Sequence, residues 1–207
     1  PSRSDWVFRE IYEGGGWRGS ESHSGSGSDL VQTRVVREQL PSLLKKYKIS
    51  SILDAPCGDW FWMQHVMLPS GVHYIGGDIV ESLVSANRKK WGEQGVEFKV
   101  MDLTKTMFPE VDLLLCRDCL VHLSYEDIFS VIRSLKRSRI QYLLTTTFNA
   151  RDHNEDIPSG HWRPLNLQHQ PFDFSEPLEF IIEQCTENEG RYADKALGLW
   201  RVNDLPS

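Results

Sequence analysis

The chain has 207 residues, enough for one domain with a large core and a modest appendage. Its 40% apolar and 25% charged residues are typical of a globular protein, and no apolar run approaches the ~20 residues of a membrane span. The formal net charge of −6 argues against binding to a nucleic-acid backbone, which needs a basic surface.

An aromatic and Gly/Ser-rich region comes first. Its apolar positions have the spacing of a short amphipathic helix and are Trp6, Phe8, Ile11 and Tyr12. The Ser/Gly-rich run 21–28 that follows suits either a flexible linker or a lid over a ligand, because glycine lets backbone approach a ligand closely. We favour the lid.

A helix is predicted next, over 30–47, with Ser28 or Asp29 as its N-cap and Pro41 as a kink or division. We therefore expect residues 1–48 to form an N-terminal cap and 49–207 to form the main domain.

From residue 49 onward, strand and helix patterns alternate. The predicted strands are 50–54, 73–77, 96–101, 111–116 and 140–147, and the predicted helices are 60–67, 80–91 and 125–137. Strands this apolar, joined by helices, indicate an α/β fold with a parallel sheet covered on both faces. A polar and aromatic insertion at about 149–177 precedes two more strands, 178–184 and 196–202.

Three predicted strands lead into a carboxylate. Asp54 ends the first, Gly58 lies in the turn after it, and Asp78 comes 20 residues beyond Gly58. This arrangement suits a nucleoside, with backbone at one strand end and a carboxylate on the ribose hydroxyls. Asp102, after the third strand, can accept from an adenine amine while Leu103 packs on the ring. Simple turn acids are the alternative.

These motifs resemble those of class I S-adenosylmethionine-dependent methyltransferases. The matching segments are Asp54-Ala55-Pro56-Cys57-Gly58-Asp59, Gly77-Asp78-Ile79, Met101-Asp102-Leu103, and 112–116 with 120–123. The resemblance is clear over 49–148 and extends to 178–202. It implies a Rossmann-like, doubly wound, mostly parallel seven-stranded sheet with a C-terminal antiparallel hairpin.

The resemblance also implies S-adenosylmethionine as cofactor, with S-adenosylhomocysteine as product. It puts Asp54 and Gly58 near the methionine part, Asp78 on the ribose and Asp102 on the adenine. The expected cofactor contacts are Asp54, Ala55, Gly58, Asp59, Asp78, Ile79, Asp102, Leu103, Arg117 and Trp17.

Two residues depart from the family's glycine-rich loop. Pro56 replaces the first glycine and Trp60 the third, while Gly58 keeps the central one. A nicotinamide-dependent oxidoreductase relies on those glycines for its pyrophosphate, so that alternative is disfavoured.

Candidate catalytic groups follow the fourth strand and lie in the insertion. Methyl transfer is largely positioning, and a base is needed when the acceptor is a hydroxyl or a protonated amine. We expect His122, Asp118 and His161 to be catalytic, although His122 equally suits a core or capping role. The histidines and acids of 149–177 match no defined metal motif, so we expect no metal.

The four cysteines are scattered, which fits a reducing, cytoplasmic location. Cys116 and Cys119 have C-x-x-C spacing but no second pair, so we expect them to pack in the core. Because the sequence begins at Pro1, earlier removal of a targeting segment stays open.

We therefore predict methyl transfer to a small or medium-sized acceptor, most readily at an oxygen of a sugar-like molecule or polyol. The partner is a small molecule, with no nucleic acid and no membrane. The alternatives are a non-catalytic cofactor-binding subunit of a larger complex and the nicotinamide-dependent oxidoreductase.

Overall fold

The computed structural model describes residues 3–16 and 19–206. The α-helices are α1 Arg3–Glu13, α2 Arg34–Lys46, α3 Glu81–Trp91 and α4 Tyr125–Lys136. The strands are β1 Ser51–Asp54, β2 His73–Asp78, β3 Glu97–Val100, β4 Leu113–Cys116, β5 Tyr142–Phe148, β6 Glu179–Ile182 and β7 Lys195–Arg201.

The strands form one seven-stranded sheet in the order β3-β2-β1-β4-β5-β7-β6. The first five pair in parallel, and β7 is antiparallel to both β5 and β6. This topology confirms the predicted Rossmann-like sheet with its antiparallel C-terminal strands. The strand order reverses between β1 and β4, which is where ligands bind in such sheets, beyond the carboxyl ends of the strands.

Both faces of the sheet are covered. One core cluster contains the buried stripe of α4, from Ile128 to Leu135, together with residues such as Leu165 and Phe172 from the insertion. The other contains the apolar side of α2 and Val84 of α3. The central strand β4 is fully buried, as expected for a parallel strand between two helical layers.

Two local predictions are wrong. The helix predicted over 60–67 is a turn followed by a single 3-10 turn, Met63–His65. Trp60 has a φ of 57°, in the left-handed region, so a right-handed helix cannot begin there. Its ring fills the core against Trp91 and Phe98, at 5.2 and 5.8 Å between ring centroids. The apolar residue at position 60 is therefore explained by burial of the Trp60 ring in the core and not by a helix period.

The cap of α2 also differs from the prediction. The N-cap is Thr33, and neither Ser28 nor Asp29 holds that position. The carboxylate of Asp29 instead accepts hydrogen bonds from the Ser20 hydroxyl and the Ser22 backbone N–H. Pro41 lies inside the helix without dividing it.

No helix in the described ranges is long and apolar enough to cross a bilayer.

Candidate active site

A cavity of about 520 Å³ lies at the carboxyl ends of the strands, beside the point where the strand order reverses. Eight of the ten predicted cofactor-contacting residues line it: Asp54, Ala55, Gly58, Asp78, Ile79, Asp102, Leu103 and Arg117. Two predicted catalytic residues, Asp118 and His122, line it as well. Residues distant in the sequence therefore meet at one site because parallel strands end at the same edge of the sheet.

Asp78 is held by the turn that follows β1. Its two carboxylate oxygens accept from the backbone N–H groups of Gly58 at 3.1 Å and Val80 at 3.0 Å. Burial raises its pKa to about 6, against the opposing effect of these hydrogen bonds. Gly58 has a φ of 55°, and a Cβ there would collide with the side chain of Ser24. Glycine is therefore required at this point.

Asp54 ends β1 as a buried acid. One carboxylate oxygen accepts from the Tyr74 hydroxyl at 2.5 Å. Burial raises the pKa of Asp54 to about 7, while the hydrogen bond from Tyr74 and the charge of Arg117 act to lower it. The group is thus poised to change charge near neutral pH.

Asp102 follows β3 and is bonded within its own turn. Its Oδ1 accepts from the Thr104 backbone N–H at 3.0 Å and from the Thr104 hydroxyl at 2.6 Å, and Lys105 lies 3.7 Å from its Oδ2. Met101 and Leu103 flank it, and all three line the cavity. The side chains of Met101 and Leu103 form an apolar part of the cavity wall on either side of Asp102 in the sequence.

The Ser/Gly-rich run lies against the same cavity, with residues 24–28 in its wall. Asp59 accepts from the hydroxyls of Ser22 and Ser24, at 2.9 and 3.2 Å, and from the His23 backbone N–H at 2.9 Å. Asp59 itself is not among the residues that line the cavity. It fastens residues 22–24 instead. Because residues 22–24 are held by these hydrogen bonds, the segment differs from a flexible linker.

An ion cluster at the cavity wall consists of Arg117, Asp118, Glu183 and Lys195. All but Asp118 are buried, and all but Glu183 line the cavity. Arg117 lies 2.7 Å from Glu183 and 3.2 Å from Asp118, and Lys195 lies 2.7 Å from Asp118. Arg117 also donates to the Gly27 carbonyl at 2.8 Å, which ties the cluster to the Ser/Gly-rich run. Two cations and two anions balance each other, so the cluster is neutral.

This cluster changes the interpretation of Asp118. Although burial acts to raise it, the charges of Lys195 and Arg117 bring the pKa of Asp118 down to about 2. An acid so strongly paired is a poor proton acceptor near neutral pH. The structure therefore places Asp118 in ion pairs with Arg117 and Lys195 at the cavity wall.

His122 is half-buried in the 3-10 turn Leu120–His122. Its Nδ1 lies 2.9 Å from the backbone carbonyl of His161. Because a carbonyl oxygen only accepts, Nδ1 carries the proton and Nε2 carries the lone pair. Burial lowers the pKa of His122, which favours the neutral imidazole.

One more predicted site residue, His161, lies in the described part of the chain. Its side chain is exposed and is not among those that line the cavity, while its backbone carbonyl contacts His122 Nδ1. Trp17 lies outside the described residues. Within the described part of the chain, no group of three or more His, Cys, Asp or Glu residues could hold a metal ion.

An aromatic wall, consisting of Phe148, Trp162 and Tyr192, was only partly anticipated. The centroids of the Trp162 and Tyr192 rings are 4.9 Å apart, and that of Phe148 lies 6.0 and 5.9 Å from them. All three line the cavity. The aromatic character of the insertion is visible in the sequence, but no sequence signal connects Trp162 with Tyr192 or with the end of β5.

Comparison with known proteins agrees with this geometry. Residues 52–138 match the family model of a methyltransferase domain, and these residues carry β1 to α4 with the three strand-end carboxylates. The chain contains an S-adenosylmethionine-dependent methyltransferase domain. S-adenosylmethionine is therefore the cofactor of this methyltransferase, and a methyl acceptor is its second substrate. No curated protein matches the sequence.

Solved structures share the fold of this methyltransferase. The PH0226 protein from Pyrococcus horikoshii OT3 is 18% identical, with a TM-score of 0.56 over 82% of this chain and 90% of that one. Magnesium protoporphyrin IX methyltransferase (ChlM) from Synechocystis PCC 6803, solved with bound S-adenosylmethionine, is 15% identical, with a TM-score of 0.54 over 75% and 81%. At such identities the likeness concerns the fold alone.

Proposed function

We propose that this methyltransferase acts on a hydroxyl oxygen of a small, neutral acceptor and that His122 is the base. The observation that carries the proposal is the hydrogen bond from His122 Nδ1 to the His161 carbonyl, which makes Nε2 the accepting nitrogen of an imidazole in the cavity wall. A hydroxyl nucleophile needs such a base, and a neutral imidazole suits this role near pH 7.

The strand ends support a position for the cofactor. We assign the ribose hydroxyls to Asp78, the methionine part to Asp54 and Gly58, and the adenine to Asp102 and Leu103. The support is that all five line one cavity and that Asp78 already accepts from the Gly58 backbone. The sulfonium supplies an activated methyl group and a neutral leaving sulfur.

The chain's own residues then orient the acceptor and move one proton. The acceptor oxygen forms its bond to the methyl carbon while the carbon–sulfur bond breaks and its electron pair stays on sulfur. The hydroxyl proton passes to Nε2 of His122. Alignment of the acceptor in the cavity supplies most of the acceleration, and the base contributes a further ~10²–10⁴-fold.

The wall chemistry favours a neutral acceptor with a ring face. Phe148, Trp162 and Tyr192 offer an aromatic surface, which suits a sugar ring, a polyol carbon face or an aromatic ring. Arg117 and Lys195 are paired with Asp118 and Glu183, so this cluster presents no unbalanced cation to an anionic acceptor. We assign residues 1–48 as a cap over the main domain at 49–207, with 149–177 on the acceptor side.

The proposal is tested with His122→Asn. Asparagine can keep a hydrogen-bond donor near the Nδ1 position, but its amide has no nitrogen that accepts a proton. Monosaccharides, polyols and phenols are offered with radiolabelled S-adenosylmethionine, and methyl incorporation is measured. We expect kcat to fall ~10²–10⁴-fold with S-adenosylhomocysteine affinity and melting temperature retained.

His161→Asn is the matched control, because His161 contributes only its backbone carbonyl, and it should keep full activity. Full activity of His122→Asn would refute the base. Cofactor binding without turnover on any acceptor would favour the non-catalytic subunit.

A further inference from the structure

A short part of the insertion, residues 160–163, binds the turn that carries His122. The Gly160 backbone N–H donates to the His122 carbonyl at 2.8 Å, and the Arg163 N–H donates to the Val121 carbonyl at 3.1 Å. Between them, the His161 carbonyl accepts from His122 Nδ1. Both the backbone and the ring of His122 are therefore held by one segment, which we call the clamp segment.

The Arg163 side chain extends this contact to both sides of His122. Its Nη1 donates to the Leu120 carbonyl at 2.9 Å and its Nη2 donates to the Leu123 carbonyl at 2.7 Å. Its Nε donates to the Glu155 carbonyl at 3.1 Å. A planar guanidinium can reach two carbonyls in this way, whereas a lysine ammonium lacks the fork.

The burial of Arg163 bears on its role. Arg163 is only 6% exposed, and no carboxylate in the described ranges forms an ion pair with it. Burying a cation that has no ion-pair partner costs free energy. The carbonyl dipoles, the charge of Asp156 and the Tyr125 ring, 5.8 Å away, offset that cost. The guanidinium is therefore held in place by its three carbonyl acceptors around the turn that carries His122.

We propose that Arg163 is a positioning residue that holds the His122 imidazole in the cavity wall by binding the carbonyls on either side of it. This inference rests on the proposed role of His122. The charged groups that act on His122 are Asp118, Lys195 and Arg163. Asp118 favours the protonated imidazole, while Arg163 and Lys195 disfavour it, so Arg163 also helps to keep the base neutral.

Two substitutions separate bonding from charge. Arg163→Lys keeps the charge but cannot bridge both carbonyls, and Arg163→Gln keeps a donor but removes the charge. Arg88→Gln is the matched control, because Arg88 likewise donates to a backbone carbonyl, that of Phe98 at 2.8 Å, outside the cavity wall. The readouts are the His122 ring nitrogen signals and pKa by ¹⁵N NMR on the S-adenosylhomocysteine complex, kcat and KM, and melting temperature.

We expect both Arg163 variants to lower kcat about tenfold or more, with the KM for S-adenosylmethionine unchanged. Arg163→Gln should raise the pKa of His122 by on the order of 0.5 unit, whereas Arg163→Lys should leave it low. Both should weaken the Nδ1–H signal of the bond to the His161 carbonyl. Arg88→Gln should change none of these values.

Unchanged His122 signals and kcat in the folded Arg163 variants, with only a lower melting temperature, would overturn the proposal. If Arg163→Gln does not fold, Arg163→Lys decides by its kcat and Nδ1–H signal. Failure of the base itself would appear differently, as full activity of His122→Asn, while the NMR comparison would still report whether Arg163 holds the ring.

Discussion

At the scale of single residues, the two strand-end acids Asp54 and Asp78 connect folding with cofactor binding. Burial raises their pKa values to about 7 and about 6. In the unfolded chain both would titrate near 4, so the folded protein binds more protons between these values. These two groups therefore stabilise the cofactor-free fold more as the pH falls from about 7 toward 4, and that contribution is lost as the pH rises.

Cofactor binding should change in the opposite direction. Ribose hydroxyls and an ammonium group bind carboxylates better than carboxylic acids. We expect S-adenosylhomocysteine affinity, measured by calorimetry, to weaken between pH 7.5 and 5.5 while urea unfolding shows no matching loss of stability.

Asp54→Asn isolates one of these groups. It should flatten the pH dependence of the free energy of unfolding between pH 5 and 7.5 by up to about 1.4 kcal/mol per pH unit. An unaltered slope in this variant would show that Asp54 is charged throughout that range.

At the scale of elements, the ion cluster joins the end of β4 to the β6–β7 hairpin. Glu183 is the buried partner of Arg117, at 2.7 Å, and lies 3.6 Å from Lys195. Removing the charge of Glu183 leaves Asp118 as the remaining acidic partner of Arg117 and Lys195 in the cluster. Breaking a buried pair by removing one partner is costly because the remaining charge is uncompensated.

We expect Glu183→Gln to lower the free energy of unfolding by about 3–5 kcal/mol in urea denaturation. The control is Glu179→Gln, the same change in β6 at a partly exposed pair with Lys46, which should cost about 1 kcal/mol or less. Equal effects in the two variants would show that burial of the cluster carries no extra stability.

The Ser/Gly-rich run is a second element whose position depends on few contacts. Asp59 holds residues 22–24, while Glu187 accepts from the Ser26 hydroxyl at 2.5 Å. Asp59→Ala removes the first set, so amide exchange in 19–28 should accelerate and S-adenosylhomocysteine should dissociate faster. Hydrogen-exchange mass spectrometry tests this, with α2 as the internal reference, and unchanged exchange in 19–28 would contradict the fastening role.

At the scale of the whole molecule, the sheet was the most predictable part. Buried parallel strands have continuous apolar sequences, and their order places Asp54, Asp78 and Asp102 at one edge. The Trp60 turn was not predictable, because its backbone conformation depends on aromatic packing formed only in the fold. Glu183 and Lys195 were missed because they lie 66 and 77 residues from the groups they pair with.

The measurement that tests the central claim most directly is calorimetric titration of S-adenosylhomocysteine into the intact protein and into Asp78→Asn. We predict saturable one-to-one binding to the intact protein and an affinity at least about tenfold weaker for the variant, since the carboxylate bonds to the ribose are lost. NADH should not compete. Absence of binding to the folded protein, or equal affinity in Asp78→Asn, would contradict the account.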